Sequence, residues 1–198
     1  MKSVYFTKRG KAFDDAHALV EKEYITRKML AEGKTIPKPD EYIIVLDFSK
    51  YEIVGVLGII EQQNGKLPFQ ESFKGVVCEK NSIEFVRFVI ARMISIEEKI
   101  EIGRKLFEAA VNWYILTSRI CGIQMDCYLE TQEYVIDFFN KTTQKDNIFF
   151  PMEEAVFKNN NPLSANSMGF IKDALVYKVN AVNAICPKMI ENRRVAVA

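Results

Sequence analysis

Two charged residues, Glu84 and Arg87, interrupt an apolar and β-branched run that extends from Ile83 to Ala91. Partial burial in a strand raises the pKa of a carboxylate toward neutral pH, which suits a general base. A guanidinium in the same strand can orient a carboxylate or a phosphate. The pair is therefore a candidate for acid-base and anion-binding chemistry. The alternative is a structural ion pair between Glu84 and Arg87 or another cation.

Residues for other kinds of chemistry are sparse. Four cysteines, Cys78, Cys121, Cys127 and Cys186, form no CxxC pair and fall in apolar or strand-like runs, which is typical of small buried thiols. With one histidine, His17, a zinc site rich in His and Cys is not expected, and we place this residue on a helix surface without a nucleophilic triad. No metal cofactor is predicted.

Charge and hydropathy limit the classes of partner. The chain has 27 Lys and Arg against 26 Asp and Glu, so no global field favours nucleic acid or an anionic membrane. No stretch is apolar enough for a secretory signal or a membrane span, which predicts a cytoplasmic protein. Binding specificity must come from a local site, and the oligomeric state is not predicted.

The periodicity of apolar residues predicts the elements that position Glu84 and Arg87. The predicted strands are Val4–Thr7, Tyr42–Phe48, Ile53–Ile60, Gly75–Cys78, Ile83–Ala91, Ile123–Leu129 and Ala174–Val179. A first helix carries Phe13, Ala16, Val20 and Tyr24 on one face and ends at Gly33 and Pro37; a second carries Ile102, Leu106, Ala109, Ala110, Trp113 and Leu116; a third covers Thr131–Lys141.

The order of these elements predicts the fold class. The first strands follow each other as hairpins, whereas a strand, a long helix and a further strand form a β-α-β unit with parallel strands. We expect an α/β (α+β) protein with a mixed, mainly antiparallel central sheet and flanking helices. Residues 1–180 form one domain, and residues 181–198 form a tail without a predicted role. No order of helices or strands is predicted for residues 142–169.

Local sequence resembles a known superfamily. Gly103-Arg-Lys-Leu-Phe-Glu-Ala-Ala followed by Trp113, and Tyr134-Val-Ile-Asp-Phe-Phe-Asn-Lys141, resemble the central and the following helix of the GNAT acyltransferases. Within that superfamily, Leu67-Pro68-Phe69 together with Glu84-Phe-Val-Arg87-Phe88 resembles the acyl-homoserine-lactone (autoinducer) synthases. The resemblance implies transfer of an acyl group from acyl-CoA or an acyl carrier protein to the amine of a small molecule.

The resemblance also implies roles for individual residues. Glu84 is the preferred base, and Arg87 binds substrate. The backbone N–H groups of Phe88, Val89 and Ile90 hold the pantetheine and polarise the thioester carbonyl, provided that the parallel neighbouring strand diverges.

The general acid and the phosphate site depart from the usual pattern. Phe139 occupies the position of a tyrosine that often acts as the acid, so Tyr134 or Tyr128 is the candidate. The phosphate-binding loop corresponds to residues 98–103, in which Glu98 and Glu101 are unfavourable to an anion, and Gly103, Lys99, Arg104 and Lys105 are the candidates for holding a donor. A carrier-protein donor, or a binding protein without catalysis, is the alternative.

Overall fold

The computed structural model describes residues 1–27, 35–62, 66–79, 81–121, 126–143, 148–157 and 174–179. The strands of these segments are β1 Lys2–Thr7, β2 Glu41–Asp47, β3 Glu52–Glu61, β4 Phe73–Lys74, β5 Ile83–Ile90, β6 Cys127–Gln132, β7 Phe149–Pro151, β8 Val156–Phe157 and β9 Ala174–Val179. The helices are α1 Lys11–Thr26, α2 Phe69–Ser72, α3 Ile96–Cys121 and α4 Glu133–Thr143.

Most of the described strands join one mixed sheet in the order β1-β2-β3-β5-β6-β9-β7. The neighbouring strands pair in antiparallel fashion except β5 and β6, which are parallel and connected through α3. A parallel pair needs such a crossover, because a tight turn reverses the chain. The predicted mixed, mainly antiparallel sheet with a β-α-β unit is therefore confirmed.

Helices cover both faces of the sheet. On one face, α1 packs Phe13, Ala16 and Val20 against Tyr42 and Val56. On the other face, Leu106 and Phe107 of α3 pack with strand residues such as Ile43, Leu57 and Phe85, and α4 adds Val135, Ile136 and Phe139 to the same cluster. Buried side chains alternate along β2, with Tyr42 and Ile44 on the α1 side and Ile43 and Val45 on the other, so one sheet serves two apolar layers.

The buried face of α3 differs in part from its prediction. Ile102, Leu106 and Ala110 are buried as expected, but Leu116 is 48% exposed. Phe107, Val111, Tyr114 and Ile115 are buried instead because α3 also packs against α4 and β7, where the Phe107 ring contacts the Phe139 and Phe149 rings. A helix between a sheet and a second helix has a wider apolar stripe than a helix with one partner.

The predicted strand at Gly75–Cys78 is wrong. Gly75 has φ 96°, and a side chain there would collide with the carbonyl oxygen of Glu154. This left-handed turn ends β4, which pairs with β8 in a small separate sheet, and leaves Val77 90% exposed. The predicted helix end at Gly33, the start of the strand at Ile123 and the tail of residues 181–198 lie outside the described residues.

Candidate active site

A cleft of about 760 Å³ opens between β5 and β6. The parallel pairing of the two strands covers only residues 83–85 and 127–129. Beyond these pairs, residues 86–88 of β5 and 130–132 of β6 line the cleft. The divergence of the strands that the predicted binding of a thioester requires is therefore present.

A β-bulge explains why β5 turns away from β6. The register of β5 against β3 shifts between Val56 and Gly58, so that Leu57 lies opposite both Arg87 and Phe88. Arg87 has φ 55°, in the left-handed region that non-glycine residues seldom adopt. An extra residue in one strand bends that strand and interrupts its ladder. The bulge thus places the end of the β5–β6 pairing next to the cleft.

The part of the cleft on the α1 side of the sheet is polar. Glu84 pairs with Tyr128, and Glu130 follows two residues later on β6, so all three side chains project from the same face. Tyr24 of α1 and Arg87 also line this part. We call Tyr24, Glu84, Arg87 and Glu130 the polar arm.

The part of the cleft on the side of α3 and α4 is apolar. Its walls are Phe88, Ile90, Phe107, Val135 and Phe138, which we call the apolar arm. The Phe88 and Phe107 rings contact each other with their centroids 4.8 Å apart. The side chain of the intervening residue, Val89, is buried against α1, so only its backbone remains for a ligand. The two arms meet where β5 and β6 diverge.

Glu84 is buried at the start of the polar arm, with 2% of its surface exposed. Its Oε2 accepts a hydrogen bond from the backbone N–H of Phe69 at 2.9 Å. Burial, followed by the nearby charge of Glu130, raises the pKa of Glu84 well above its usual value, and the Phe69 hydrogen bond and Arg87 only partly oppose this. Burial therefore favours the neutral form of Glu84.

Glu130 is the second carboxylate of the polar arm. It is partly exposed to the cleft, and burial raises its pKa to about 7. Glu84 is the more deeply buried of the two, and the charge of Glu130 further raises the pKa of Glu84, so a single negative charge on the pair is favoured at Glu130. Sequence reasoning placed Glu130 only at a polar position of a strand. The available signal was its location just past the β-α-β crossover, opposite the strand that carries Glu84.

Arg87 brings the positive charge of the polar arm. Its Nε atom is buried and has no hydrogen-bond partner within the described part of the chain. The guanidinium charge acts on Tyr24, Tyr42 and Glu84, which lie on the α1 side of the sheet. The alternative of a Glu84–Arg87 ion pair is not found among the described residues, where Oε2 of Glu84 accepts a hydrogen bond from the backbone N–H of Phe69.

The expected helix-surface position of His17 is wrong. The His17 side chain is buried between α1 and the sheet, and its Nδ1 lies 2.7 Å from the hydroxyl oxygen of Tyr42. Burial lowers the pKa of His17, so the ring is neutral at neutral pH. Its Nε2 lies 3.5 Å from a carboxylate oxygen of Glu21.

The candidate acids differ in their access to the cleft. Tyr134, at the start of α4, is 61% exposed and lines the cleft. Tyr128 is buried, and its hydroxyl donates a hydrogen bond to Asp126 at 3.2 Å. Phe139 is buried in the core between Phe107 and Phe149. Of the two tyrosines, Tyr134 has the access that an acid for a leaving group needs.

The segment compared with a phosphate-binding loop lies inside α3. The helix begins at Ile96, and Ser95 and Glu98 cap it by accepting each other's backbone N–H groups at 3.2 Å. Gly103 follows about two turns after Ile96, where a side chain would come within 2.8 Å of the Phe138 ring. The N–H groups near Gly103 are thus committed to helical hydrogen bonds.

The basic residues after Gly103 pair along α3. Arg104 contacts Glu108 at 3.0 Å, and Lys105 contacts Glu101 at 3.6 Å. The residues of α3 that line the cleft are Lys99 and Phe107. The donor-binding roles of Gly103, Arg104 and Lys105 therefore stay predictions. Neither a metal-binding group of three or more His, Cys, Asp or Glu residues nor a membrane-spanning helix occurs among the described residues.

Solved acyltransferase structures share this fold. The chain is 8% identical to an acyl-CoA N-acyltransferase from Pseudomonas aeruginosa, with a TM-score of 0.52 over 91% of this chain and 100% of the other. It is 13% identical to FeeM, an N-acyl amino acid synthase from uncultured soil microbes, with a TM-score of 0.55 over 93% of this chain and 92% of the other. It is also 13% identical to the AHL synthase LasI, with a TM-score of 0.53 over 90% of this chain and 88% of the other. Neither protein-family models nor curated proteins give a match to the sequence.

Proposed function

The chain has a GNAT-like fold that resembles the AHL synthases, as the sequence predicted, and from this premise we propose that it transfers an acyl group from a thioester donor to the amine of a small molecule. The observation that carries the proposal is the cleft between β5 and β6, which joins the polar arm on one side of the sheet to the apolar arm on the other. Such a cleft holds an amine and an acyl chain on opposite sides of one reacting carbonyl.

The donor occupies the apolar arm in this proposal. Its acyl chain lies among aromatic side chains such as Phe107 and Phe138, because burial of methylene groups is favourable by about 0.8 kcal/mol each. The backbone N–H groups of residues 88–90 polarise the thioester carbonyl and stabilise the oxyanion that forms there. Phosphopantetheine, which acyl-CoA and acyl carrier protein share, meets the basic residues that line the cleft, Arg27, Lys38, Lys66 and Lys99.

The structure favours a carrier protein over coenzyme A as the donor. The first turn of α3 is capped by its own Ser95 and Glu98, and Glu98 also binds Lys2 at 2.7 Å. An acidic side chain at a helix N-terminus competes with the nucleotide pyrophosphate for the same N–H groups. A carrier protein presents one phosphate without that nucleotide.

The acceptor amine lies in the polar arm. Glu130 takes a proton from its ammonium, since a base with a pKa of about 7 is half ionised at neutral pH. The amine nitrogen then forms a bond to the thioester carbon, the carbon–sulfur bond breaks, and the second nitrogen proton moves to the departing sulfur. Tyr134 relays this second proton. Burial favours the neutral form of Glu84, which limits the pair to a single negative charge.

The test is a turnover assay with the purified chain. Acetyl-CoA, long-chain acyl-CoA and acylated carrier protein are each combined with mixed small amines, and thiol release and the N-acyl product are measured. We expect one donor class to support turnover in the wild type, a decrease of at least about 100-fold in Glu130→Gln, and no change in the exposed control Glu52→Gln. Equal turnover by both variants would refute the role of Glu130, and no turnover with any donor would refute the function.

A binding protein without catalysis is the second candidate. The buried Phe139 at the usual acid position and the capped start of α3 favour it. The same donors then raise the thermal midpoint without releasing thiol.

A further inference from the structure

We infer that Arg27 and Arg92 form a binding site for the single phosphate group of a phosphopantetheine donor. The inference rests on the proposed function, because it locates one end of the donor in that reaction. Its evidence is a group of charged side chains at the end of β5, which the proposed acyl transfer does not itself require.

The first observation is that two arginines meet at one buried carboxylate. Oε2 of Glu23 in α1 lies 3.3 Å from Nε and from Nη2 of Arg27, and 3.4 Å from Nε of Arg92. Arg27 follows the last turn of α1, whereas Arg92 lies between β5 and α3. Because both guanidinium groups contact the same oxygen, they are close neighbours. A single carboxylate balances only one of their two charges.

The second observation is that both arginines keep hydrogen-bond donors for a ligand. Arg27 uses part of its planar fork on Glu23 and on the carbonyl oxygen of Ile90, 3.0 Å from its Nη2. Its Nη1 atom and both Nη atoms of Arg92 have no hydrogen-bond partner among the described residues. The two side chains are 37% and 46% exposed, and Arg27 lines the cleft. Two forks held in place in this way suit a phosphate, which accepts paired hydrogen bonds from arginine.

The third observation is the charge that surrounds the two arginines. Lys99 of α3 lines the same cleft and has no ion-pair partner in the part of the chain that the structure describes. Two acidic residues of this part of α3 are bound elsewhere, Glu98 to Lys2 at 2.7 Å and Glu101 to Lys105 at 3.6 Å. Positive charge is therefore in excess beside a helix start that its own side chains cap.

The fourth observation is the distance from the reacting carbonyl. The N–H of Ala91 binds the carbonyl oxygen of Val54 at 3.0 Å, so β5 continues beside β3 past its last assigned residue. An extended chain rises about 3.3 Å per residue, which places Arg92 about 13 Å from Phe88 along the strand. An extended pantetheine arm has a comparable length between its sulfur and its phosphate. A donor whose carbonyl is polarised near Phe88 thus brings its phosphate to the arginines.

The experiment compares donors that differ in their phosphate groups. Thioesters of pantetheine, 4′-phosphopantetheine and coenzyme A with the same acyl group are assayed with the acceptor that supports turnover. We expect the wild type to prefer the phosphopantetheine thioester to the pantetheine thioester by about 10- to 100-fold in kcat/KM, because hydrogen bonds between charged groups are the stronger ones. The coenzyme A thioester should gain nothing more, since the site holds one phosphate.

Variants assign this preference to the two arginines. Arg27→Gln and Arg92→Gln should each lower the ratio of the two kcat/KM values, and the double variant should bring it to about 1. Arg27→Lys keeps the charge but loses the fork, so its ratio should be intermediate. The matched control is Arg9→Gln, which removes an exposed arginine at the opposite end of α1 and outside the cleft. This control keeps the wild-type ratio, and thermal melting shows that each variant is folded.

Several outcomes overturn the inference while the function stands. An equal loss of turnover with both pantetheine compounds in Arg27→Gln and Arg92→Gln shows that these arginines only fasten α1 to β5. A wild type without the preference, or a preference that survives in the double variant, shows that the phosphate is bound elsewhere or not at all. A further gain with the coenzyme A thioester overturns the assignment to a single phosphate.

Binding decides the inference if the function itself fails. When no thioester is turned over, calorimetric titration of the unacylated compounds, 4′-phosphopantetheine and pantetheine, tests the site without catalysis. Tighter binding of the phosphorylated compound, lost in the double variant, supports the site. Equal affinity for the two compounds, or binding of neither, refutes it.

Discussion

The backbone N–H of Phe69 lies 2.9 Å from Oε2 of Glu84, so the single turn of α2 is fixed to the central strand β5 through a carboxyl group. Leu67 and Pro68, which precede this turn, line the cleft together with Glu71 and Ser72. Glu84 therefore holds one wall of the cleft in place in either protonation state.

Replacement of Glu84 by glutamine should preserve stability. Glutamine keeps an oxygen that accepts the Phe69 N–H, and it is uncharged, which is the form that burial favours at this position. We expect the thermal midpoint of Glu84→Gln to match the wild type and turnover to fall less than about 10-fold, well short of the effect of losing a general base. Glu84→Ala should lose about 1–3 kcal/mol, because it leaves the N–H of Phe69 unpaired. A loss of turnover in Glu84→Gln as large as in Glu130→Gln would make Glu84 the base.

The pH dependence of turnover should follow the ionisation of Glu130. Its raised pKa of about 7 predicts that kcat/KM increases with pH up to this value and then levels off, because only the carboxylate accepts the ammonium proton. Measurement of initial rates between pH 5 and 9 would show the transition. Glu130→Asp should retain a base with an altered profile, whereas Glu130→Gln should remove the transition. A transition that persists in Glu130→Gln would assign it to another group.

Folding stability should change with pH in the opposite sense. Glu130 has an ordinary pKa of 4.5 and a folded pKa of about 7, so the folded chain binds more protons between these values and stability decreases as pH rises. The shift corresponds to about 3 kcal/mol, which is present below pH 4.5 and lost by about pH 7. Urea unfolding of the wild type and Glu130→Gln at pH 5 and pH 8 measures this contribution. We expect the variant to be the more stable of the two at pH 8, and identical pH slopes would contradict the assignment.

The contact between Gly103 and Phe138 should limit the size of residue 103. The Cβ of Gly103→Ala would come within 2.8 Å of the Phe138 ring, which lines the apolar arm. Overpacking of this kind costs about 1–3 kcal/mol, more than the gain of about 1 kcal/mol in helix propensity. Chemical denaturation of Gly103→Ala, Phe138→Leu and the double variant tests this, since the smaller side chain should relieve the clash. Additive effects of the two changes would show that the residues do not interact.

The sequence predicted the elements whose residues alternate or recur regularly. The helix α3 between two apolar strands revealed the β-α-β unit, and the charged positions of an apolar strand identified Glu84 and Arg87. The point at which β5 stops pairing with β6 has no such signal, because a bulge at Arg87 depends on its register against β3. Glu130 was missed for a similar reason. It lies 46 residues after Glu84 in the sequence, and only the pairing of β5 with β6 brings the two side chains together.

The errors at Gly75 and His17 have different physical origins. The run Gly75–Cys78 has the composition of a strand, but the left-handed turn at Gly75 takes it away from the sheet. His17 lies at the edge of the apolar stripe of α1, where a polar ring can be buried if it forms a hydrogen bond, here with the Tyr42 hydroxyl. Composition alone reveals neither the turn nor the partner.

The short pairing between β5 and β6 divides the sheet into two mechanical units. Strands β1, β2, β3 and β5 form one antiparallel block, and β6, β9 and β7 form another, with a seam of three residue pairs between them. Helix α3 packs on the strands of the first block and α4 packs on β6 of the second, so a rotation about the seam would leave the hydrogen bonds within each block intact. A molecule that fills the cleft on both sides of the sheet would hold the two blocks at one angle. Amide hydrogen exchange should then become slower in both blocks.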